Sequence, residues 1–155
     1  MRLSTKGRYA VMAMVDLAKQ QAVNEDGDRA VSLAEIAARQ EISLSYLEQL
    51  FARLRRHDLV KSARGPGGGY RLAKASTETF IADIVLAVDE PLRATRCNFT
   101  KGQAKGCMAG GERCMTHNLW EEMGRQIHGY LASVSVADVL KGELRPARPL
   151  EIAAE

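Results

Sequence analysis

Residues 32–72 read SLAEIAARQEISLSYLEQLFARLRRHDLVKSARGPGGGYRL, and this stretch decides the fold. Ser32 followed three residues later by Glu35 is a capping box, so a helix opens there. Leu33, Ile36 and Ala37 mark its inner face. Glu41-Ile42-Ser43 makes a tight break, and Ser43 is placed to cap a second helix. Leu47, Leu50, Phe51 and Leu54 form the apolar stripe of that second helix. A 100° wheel sets Ser45, Glu48, Gln49, Ala52, Arg53 and Arg56 on the opposite face. Two short helices joined by a three-residue turn form a helix-turn-helix pattern, although an ordinary helical hairpin has the same spacing.

The residues behind the second helix separate the two readings. Two extended runs in LVKSARGPGGGYRLAK flank Gly65-Pro66-Gly67-Gly68-Gly69, a composition suited to a hairpin whose tip needs unusual backbone angles. A hairpin directly behind the second helix is a wing, with Arg64 and Gly65 at its tip. Residues 1–74 carry 13 Lys/Arg against 8 Asp/Glu, a net +5, while residues 75–155 carry 9 against 11, a net −2. The positive half is the one expected to meet a polyanion. The polar helix face, the wing and the charge together point to double-stranded DNA. On that reading Ser43, Ser45 and Tyr46 contact phosphate or base edges, Glu48 accepts from cytosine and Gln49 pairs with adenine. Arg53, Arg56 and Arg64 act on phosphates and groove shape.

Toward the N-terminus a helix is expected from Ser4 or Thr5 to about Gln20, with Ala10, Ala13, Met14 and Leu17 inward. Another spans about Phe80–Val88, with Ile81, Ile84, Val85 and Val88 inward. After His117 a stripe of Leu119, Trp120, Met123, Ile127, Tyr130, Leu131 and Val134 predicts a helix of nearly five turns. SVADVLKGE reads as a short closing helix. The expected class is mainly α: a winged helix-turn-helix domain over 1–75, then a helix, a cysteine-rich loop and a long dimerisation helix over 76–140, and a flexible tail over 141–155. The long stripe suits either intramolecular core or a dimer interface, and few elements remain to cover it. Paired heads would read half-sites about 34–36 Å apart.

The loop gathers every cysteine of the chain. RCNFTKGQAKGCMAGGERCMTH spaces Cys97, Cys107, Cys114 and His117 as C-x9-C-x6-C-x2-H. Three thiolates and an imidazole are a ligand set for Zn²⁺ or for an iron–sulfur cluster. The spacing leaves both open, with the long first gap favouring the wider two-iron cluster. An odd cysteine count argues against a secreted disulfide framework. Arg2, Lys6 and Arg8 before an apolar run mimic a signal peptide, but Asp16 interrupts the run and no cleavage site follows. No segment has the apolar length of a membrane span, so a cytoplasmic protein is expected. No cofactor fingerprint or nucleophile–base arrangement suggests an enzyme. An electron carrier has no need of a winged helix-turn-helix. His57 and His128 are expected at the surface.

MRLSTKGRYAV at the start, ISLSYLEQLFARLR, RGPGGGY, AVDE, ATRC and the C-x-x-H followed by LW resemble the Rrf2 family of bacterial transcription regulators, over roughly residues 1–140. The resemblance is to the iron–sulfur-sensing branch of that family. It implies a homodimer with one [2Fe–2S] cluster per subunit, ligated by Cys97, Cys107, Cys114 and His117. It also implies that the cluster is supplied by the assembly machinery, and that cluster-biogenesis genes are controlled, commonly by repression. The DNA-reading positions carry over onto Ser43, Ser45, Tyr46, Glu48, Gln49 and Arg64. The gap between Cys97 and Cys107 is longer than the usual spacing of that branch. Nitric-oxide-sensing relatives use an Asp near the N-terminus; STKGRYAV has Arg8 and no Asp, which favours the cluster-supply branch. A zinc-stabilised or nitric-oxide/redox-sensing regulator of the same family is the alternative.

Overall fold

A computed structural model describes residues 5–23, 29–88, 108 and 111–144. In chain order these form α1 (Thr5–Val23), α2 (Leu33–Gln40), α3 (Leu44–Arg56), β1 (Val60–Ala63), β2 (Gly69–Leu72), α4 (Ile81–Ala87), α5 (His117–Ser133) and α6 (Val136–Lys141). The fold is mainly α, with one antiparallel two-stranded sheet in the register Val60↔Leu72 to Ala63↔Gly69.

Helix α1 is the scaffold, packing against α2, α3, β2, α4 and α6. Its inward residues Ala10, Ala13, Met14 and Leu17 are fully buried. Three of these four are small or flexible, which lets neighbouring helices approach closely. They join Ile36, Leu47, Leu50, Phe51, Leu54, Ile84, Val85, Val88 and Val136 in one hydrophobic cluster. The cluster is continuous across residue 75. Each fully buried Leu, Ile or Phe in it contributes about 1.5–3 kcal/mol relative to exposure.

The helix boundaries follow local chemistry. Ser32 caps α2, and Glu35 reaches back to the Ser32 backbone N–H and hydroxyl, both at 2.9 Å. These bonds, with smaller contributions from Arg29 and Arg39, lower the Glu35 pKa below its ordinary value. The break after α2 places Glu41 in the left-handed region (φ 53°), and the Ile42 N–H bonds back to Ala37 O while its side chain is buried. Asp58 (φ 55°) ends α3 in the same way, with the Leu59 N–H on Leu54 O. Both stops have the pattern of a left-handed cap with a hydrophobic residue behind it. A second capping box, Ser135 with Asp138, opens α6.

Helix α1 runs to Val23, a turn beyond the expected Gln20. The added turn holds Gln21, whose Oε1 accepts from the Leu72 backbone N–H at 3.0 Å. Asp16, read in the sequence only as a break in an apolar run, is 5% exposed. Arg39 Nε donates to both its oxygens at 3.1 Å. A buried carboxylate requires such a partner, and this one ties α1 to α2. The backbone at Thr79–Ile81 pairs with Val134–Val136, so α4 and α6 start side by side. Val136, at the start of the α6 expected from SVADVLKGE, is fully buried. The Phe80–Val88 helix is observed as Ile81–Ala87 with its four expected inward residues buried. Most of the cysteine loop, the tail beyond Leu144 and the expected helix-start residue Ser4 lie outside the described residues.

Candidate nucleic-acid interface and metal centre

Helix α3 is anchored by Leu47, Leu50, Phe51 and Leu54, each 0–1% exposed. That anchorage turns the other face outward: Ser45, Glu48, Gln49 and Arg56 are exposed, and Ala52 and Arg53 are half-buried. Ser43 is the N-cap, accepting from the Tyr46 N–H at 3.2 Å, and its hydroxyl lies 3.0 Å from that of Ser45. Tyr46 packs edge-on against Tyr9 with ring centroids 6.0 Å apart. Among the described residues no side chain engages Glu48 or Gln49. Both amide and carboxylate therefore present unspent hydrogen-bonding groups to whatever approaches. Arg53, Arg55 and Arg56 close the last turn, where positive charge complements the helix dipole as well as phosphate.

The wing is set against the same core. Phe51 meets Tyr70 at 4.9 Å between centroids, and Val31 and Tyr70 exchange two backbone bonds of 2.9 and 2.8 Å. This extra bridge ahead of α2 was not legible from hydrophobic pattern, since it joins residues thirty-nine apart. The glycines have two separate reasons. Gly65 and Gly67 adopt φ of 96° and 74° at the tip. Gly68 and Gly69 are places where backbone comes close: a Cβ would stand 2.5 Å from Ala63 O and 2.2 Å from Val31 O respectively. Arg64 and Gly65 are exposed at the turn.

Of the four sulfur and nitrogen ligand candidates, Cys114 and His117 are described; Cys97 and Cys107 lie outside the described residues. His117 opens α5, is 5% exposed, and its backbone N–H donates to Cys114 O at 3.0 Å. Cys-x-x-His is thus one turn leading into a helix, with a partly buried thiol and a buried imidazole on it. Glu121 Oε2 lies 3.9 Å from His117 Nε2. Among the described residues there is no group of three metal-ligating side chains, as expected when half the set lies outside them. The donor pair present fits a soft metal or an iron–sulfur cluster, which prefers thiolate and imidazole.

Beyond the first turn, α5 is poorly covered. Only His117 and Gly124 of its seventeen residues are buried. Leu119 is 60% exposed, and Trp120, Met123 and Ile127 are half-buried. Tyr130 and Leu131 pack on the core, and Val134 enters it. His57 and His128 are at the surface. No helix among the described residues is long and apolar enough to cross a membrane.

The chain is similar to known proteins. The chain is 50% identical over 143 residues to the HTH-type transcriptional regulator IscR of Photorhabdus laumondii, covering 92% of this chain and 81% of that one. It is 46% identical over 143 residues to the IscR of Escherichia coli O1:K1, covering 92% and 82%. Among solved structures it resembles T. potens IscR (TM-score 0.70, 36% identity, 96% and 94% covered). It also resembles CymR, the global cysteine regulator of B. subtilis (TM-score 0.70, 30% identity, 92% and 98% covered). The family profile for Rrf2, described as an iron-dependent transcriptional regulator, matches residues 3–142. The winged helix-turn-helix, the cysteine loop and these likenesses agree: the chain belongs to the Rrf2 family and is a DNA-binding transcriptional regulator of the IscR type, not an enzyme.

Proposed function

We propose that the protein senses iron–sulfur cluster supply and represses cluster-biogenesis genes when loaded. It acts as a homodimer on a double-stranded operator, and the assembly machinery is the cluster donor. The observation that carries this reading is the placement of Cys114 and His117 on one turn at the root of α5. Cys97, Cys107, Cys114 and His117 are the residues to hold a [2Fe–2S] cluster; when bound, it supplies a ligand-dependent tie between the loop and α5 that iron shortage or oxidation removes. Neutral imidazole is a ligand for which protons compete, so His117 suits a site that is gained and lost.

The partly covered face of α5 supports dimerisation: Leu119 is exposed and Trp120, Met123 and Ile127 are only half-buried, which leaves apolar surface for a partner. A second α5 supplies one by symmetry. Ser43, Ser45, Tyr46, Glu48 and Gln49 read the groove, with Arg53 and Arg56 on phosphates and Arg64 and Gly65 at the wing tip. Any change in how α5 pairs alters the spacing of the two heads. Such coupling is typically worth about 1–3 kcal/mol, or roughly 5–150-fold in affinity.

The test is an anaerobic visible spectrum of freshly purified protein, with iron, sulfide and zinc counted on the same sample, followed by operator binding with and without the cluster. Two irons and two sulfides per chain, and unequal operator affinities of the two forms, are expected. Stoichiometric zinc in a colourless protein would leave a DNA-binding regulator whose loop is a brace. Equal affinities at every operator would end the sensing mechanism.

A further inference from the structure

Thr116 occupies the N-cap position of α5, where a threonine hydroxyl ordinarily accepts from the free N–H groups of the first turn. It makes no such bond. Its Oγ1 lies 3.0 Å from the indole Nε1 of Trp120 and 3.7 Å from Cys114 Sγ. The second distance is within hydrogen-bond range for the larger sulfur atom. An indole N–H has no acceptor capacity, so Trp120 donates and Thr116 Oγ1 accepts. The hydroxyl keeps its own proton for another acceptor. A ligating cysteine is a thiolate, which accepts and cannot donate. With Cys114 ligated as a thiolate, the direction of the chain is set: Trp120 N–H to Thr116 oxygen, Thr116 O–H to Cys114 sulfur. Donation into the hydroxyl oxygen polarises its O–H bond and strengthens the bond that it gives in turn.

We propose that Thr116 is a positioning residue for the metal centre: held by the Trp120 indole, it donates a hydrogen bond to Cys114 Sγ and raises the reduction potential of a cluster bound there. The proposal rests on the reading of Cys114 as a cluster ligand. A hydrogen bond to a ligating sulfur withdraws electron density from it, and reduction adds negative charge to the site. The donor therefore favours the reduced form over the oxidised one. The relay also accounts for a threonine that has left its capping role, and for an aromatic side chain whose one polar atom is spent four residues back along the helix.

The experiment compares Thr116→Val, Thr116→Ser and Trp120→Phe with the parent protein. In cluster-loaded protein the one-electron potential is read by anaerobic titration with redox dyes. In metal-free protein the indole N–H resonance of Trp120, the single tryptophan of the chain, is read by ¹⁵N NMR, with Cys114→Ala added to the set. The expected pattern is a lower potential for Thr116→Val, parent-like behaviour for Thr116→Ser, and a potential between the two for Trp120→Phe. The indole resonance should move in Thr116→Val and also in Cys114→Ala, which alters only the far end of the relay. Parent-like potentials in both Thr116→Val and Trp120→Phe would overturn the proposal while leaving the cluster reading intact. Should Thr116→Val not fold, the Trp120→Phe potential and the Cys114→Ala resonance decide. If the purified parent protein holds zinc and no sulfide, the proposed function fails, and an indole resonance indifferent to Cys114→Ala would dispose of the relay separately.

Discussion

The α2–α3–wing unit and the Cys114–Ser133 segment are built on opposite plans. The first is closed within one chain. Its helices carry their own caps, Leu47, Leu50, Phe51 and Leu54 are buried, and the wing is tied to the segment before α2 through Val31 and Tyr70. Apart from Leu44, its exposed side chains on α3 are polar or charged and are placed at the surface by that burial. The second segment is open. It has a buried imidazole at its start, a thiol on the preceding turn and a helix with an apolar face that α4 and the core cover only in part. Each plan suits a different task. Reading a base sequence demands a rigid presentation of side chains, and sensing demands an element whose best-packed state waits on a ligand or partner.

Substitutions placed in one region or the other test this contrast. Leu50→Ala, in the closed unit, should destabilise the chain by about 2–5 kcal/mol, because the removed side chain leaves a cavity that the surrounding helices fill only partly. Ile127→Ala, on the open face, should leave the intrachain fold nearly unchanged and weaken self-association about tenfold or more, since each protomer loses apolar contact. Urea unfolding at fixed protein concentration and sedimentation over a concentration series measure the two effects. An Ile127→Ala protein with parent-like association and a large fall in unfolding midpoint would erase the distinction.

A more local effect, confined to one base pair, belongs to the outward face of α3. Glu48→Ala should cost about 1–3 kcal/mol of discrimination at one base pair and relax preference there, as measured by binding to a set of single-substituted operators. An unchanged preference at every position would remove Glu48 from the reading set and leave Gln49 and the wing to carry it. The smallest effect is the pH dependence of the α2 cap. Glu35 has a pKa lowered by its bonds to Ser32, so its contribution to stability is present above the ordinary carboxylate pKa and is lost as pH falls through the lower folded-state value. Glu35→Gln should therefore reduce the acid-side fall in melting temperature relative to the parent. Unaltered slopes would show that the cap does not titrate in that window.

Much of the closed unit was legible in the residues alone. Ser32 with Glu35 and Ser43 ahead of Leu44 are local signals, and the Leu47–Leu50–Phe51–Leu54 stripe states which face turns inward. Gly65 through Gly69 signalled the wing through the unusual backbone angles of its tip, while the close backbone approach at Gly68 and Gly69 emerged only in the folded chain. The thiol and imidazole at Cys114 and His117, candidates for holding a metal, were equally visible, since that chemistry needs no fold to be recognised.

Residue order settles whatever repeats within a turn or two of chain: helix starts, buried faces, the wing, the gathering of all thiols into one short stretch of sequence and the likeness to a known family. Which distant groups meet is a matter of tertiary packing. Asp16 is an interruption in an apolar run until α2 lays Arg39 against it. Gln21 is a polar residue near a helix end until the Leu72 N–H arrives beside it. The apolar stripe of α5 reads as core or, more readily, as interface until the other helices have packed and left part of it uncovered. Even Thr116, a capping residue by type, is turned to Trp120 and Cys114 by the turn it occupies. The reason is one of range. Periodicity and capping act over a few residues of backbone, whereas pairing across tens of residues depends on the angles and distances at which finished helices come to rest.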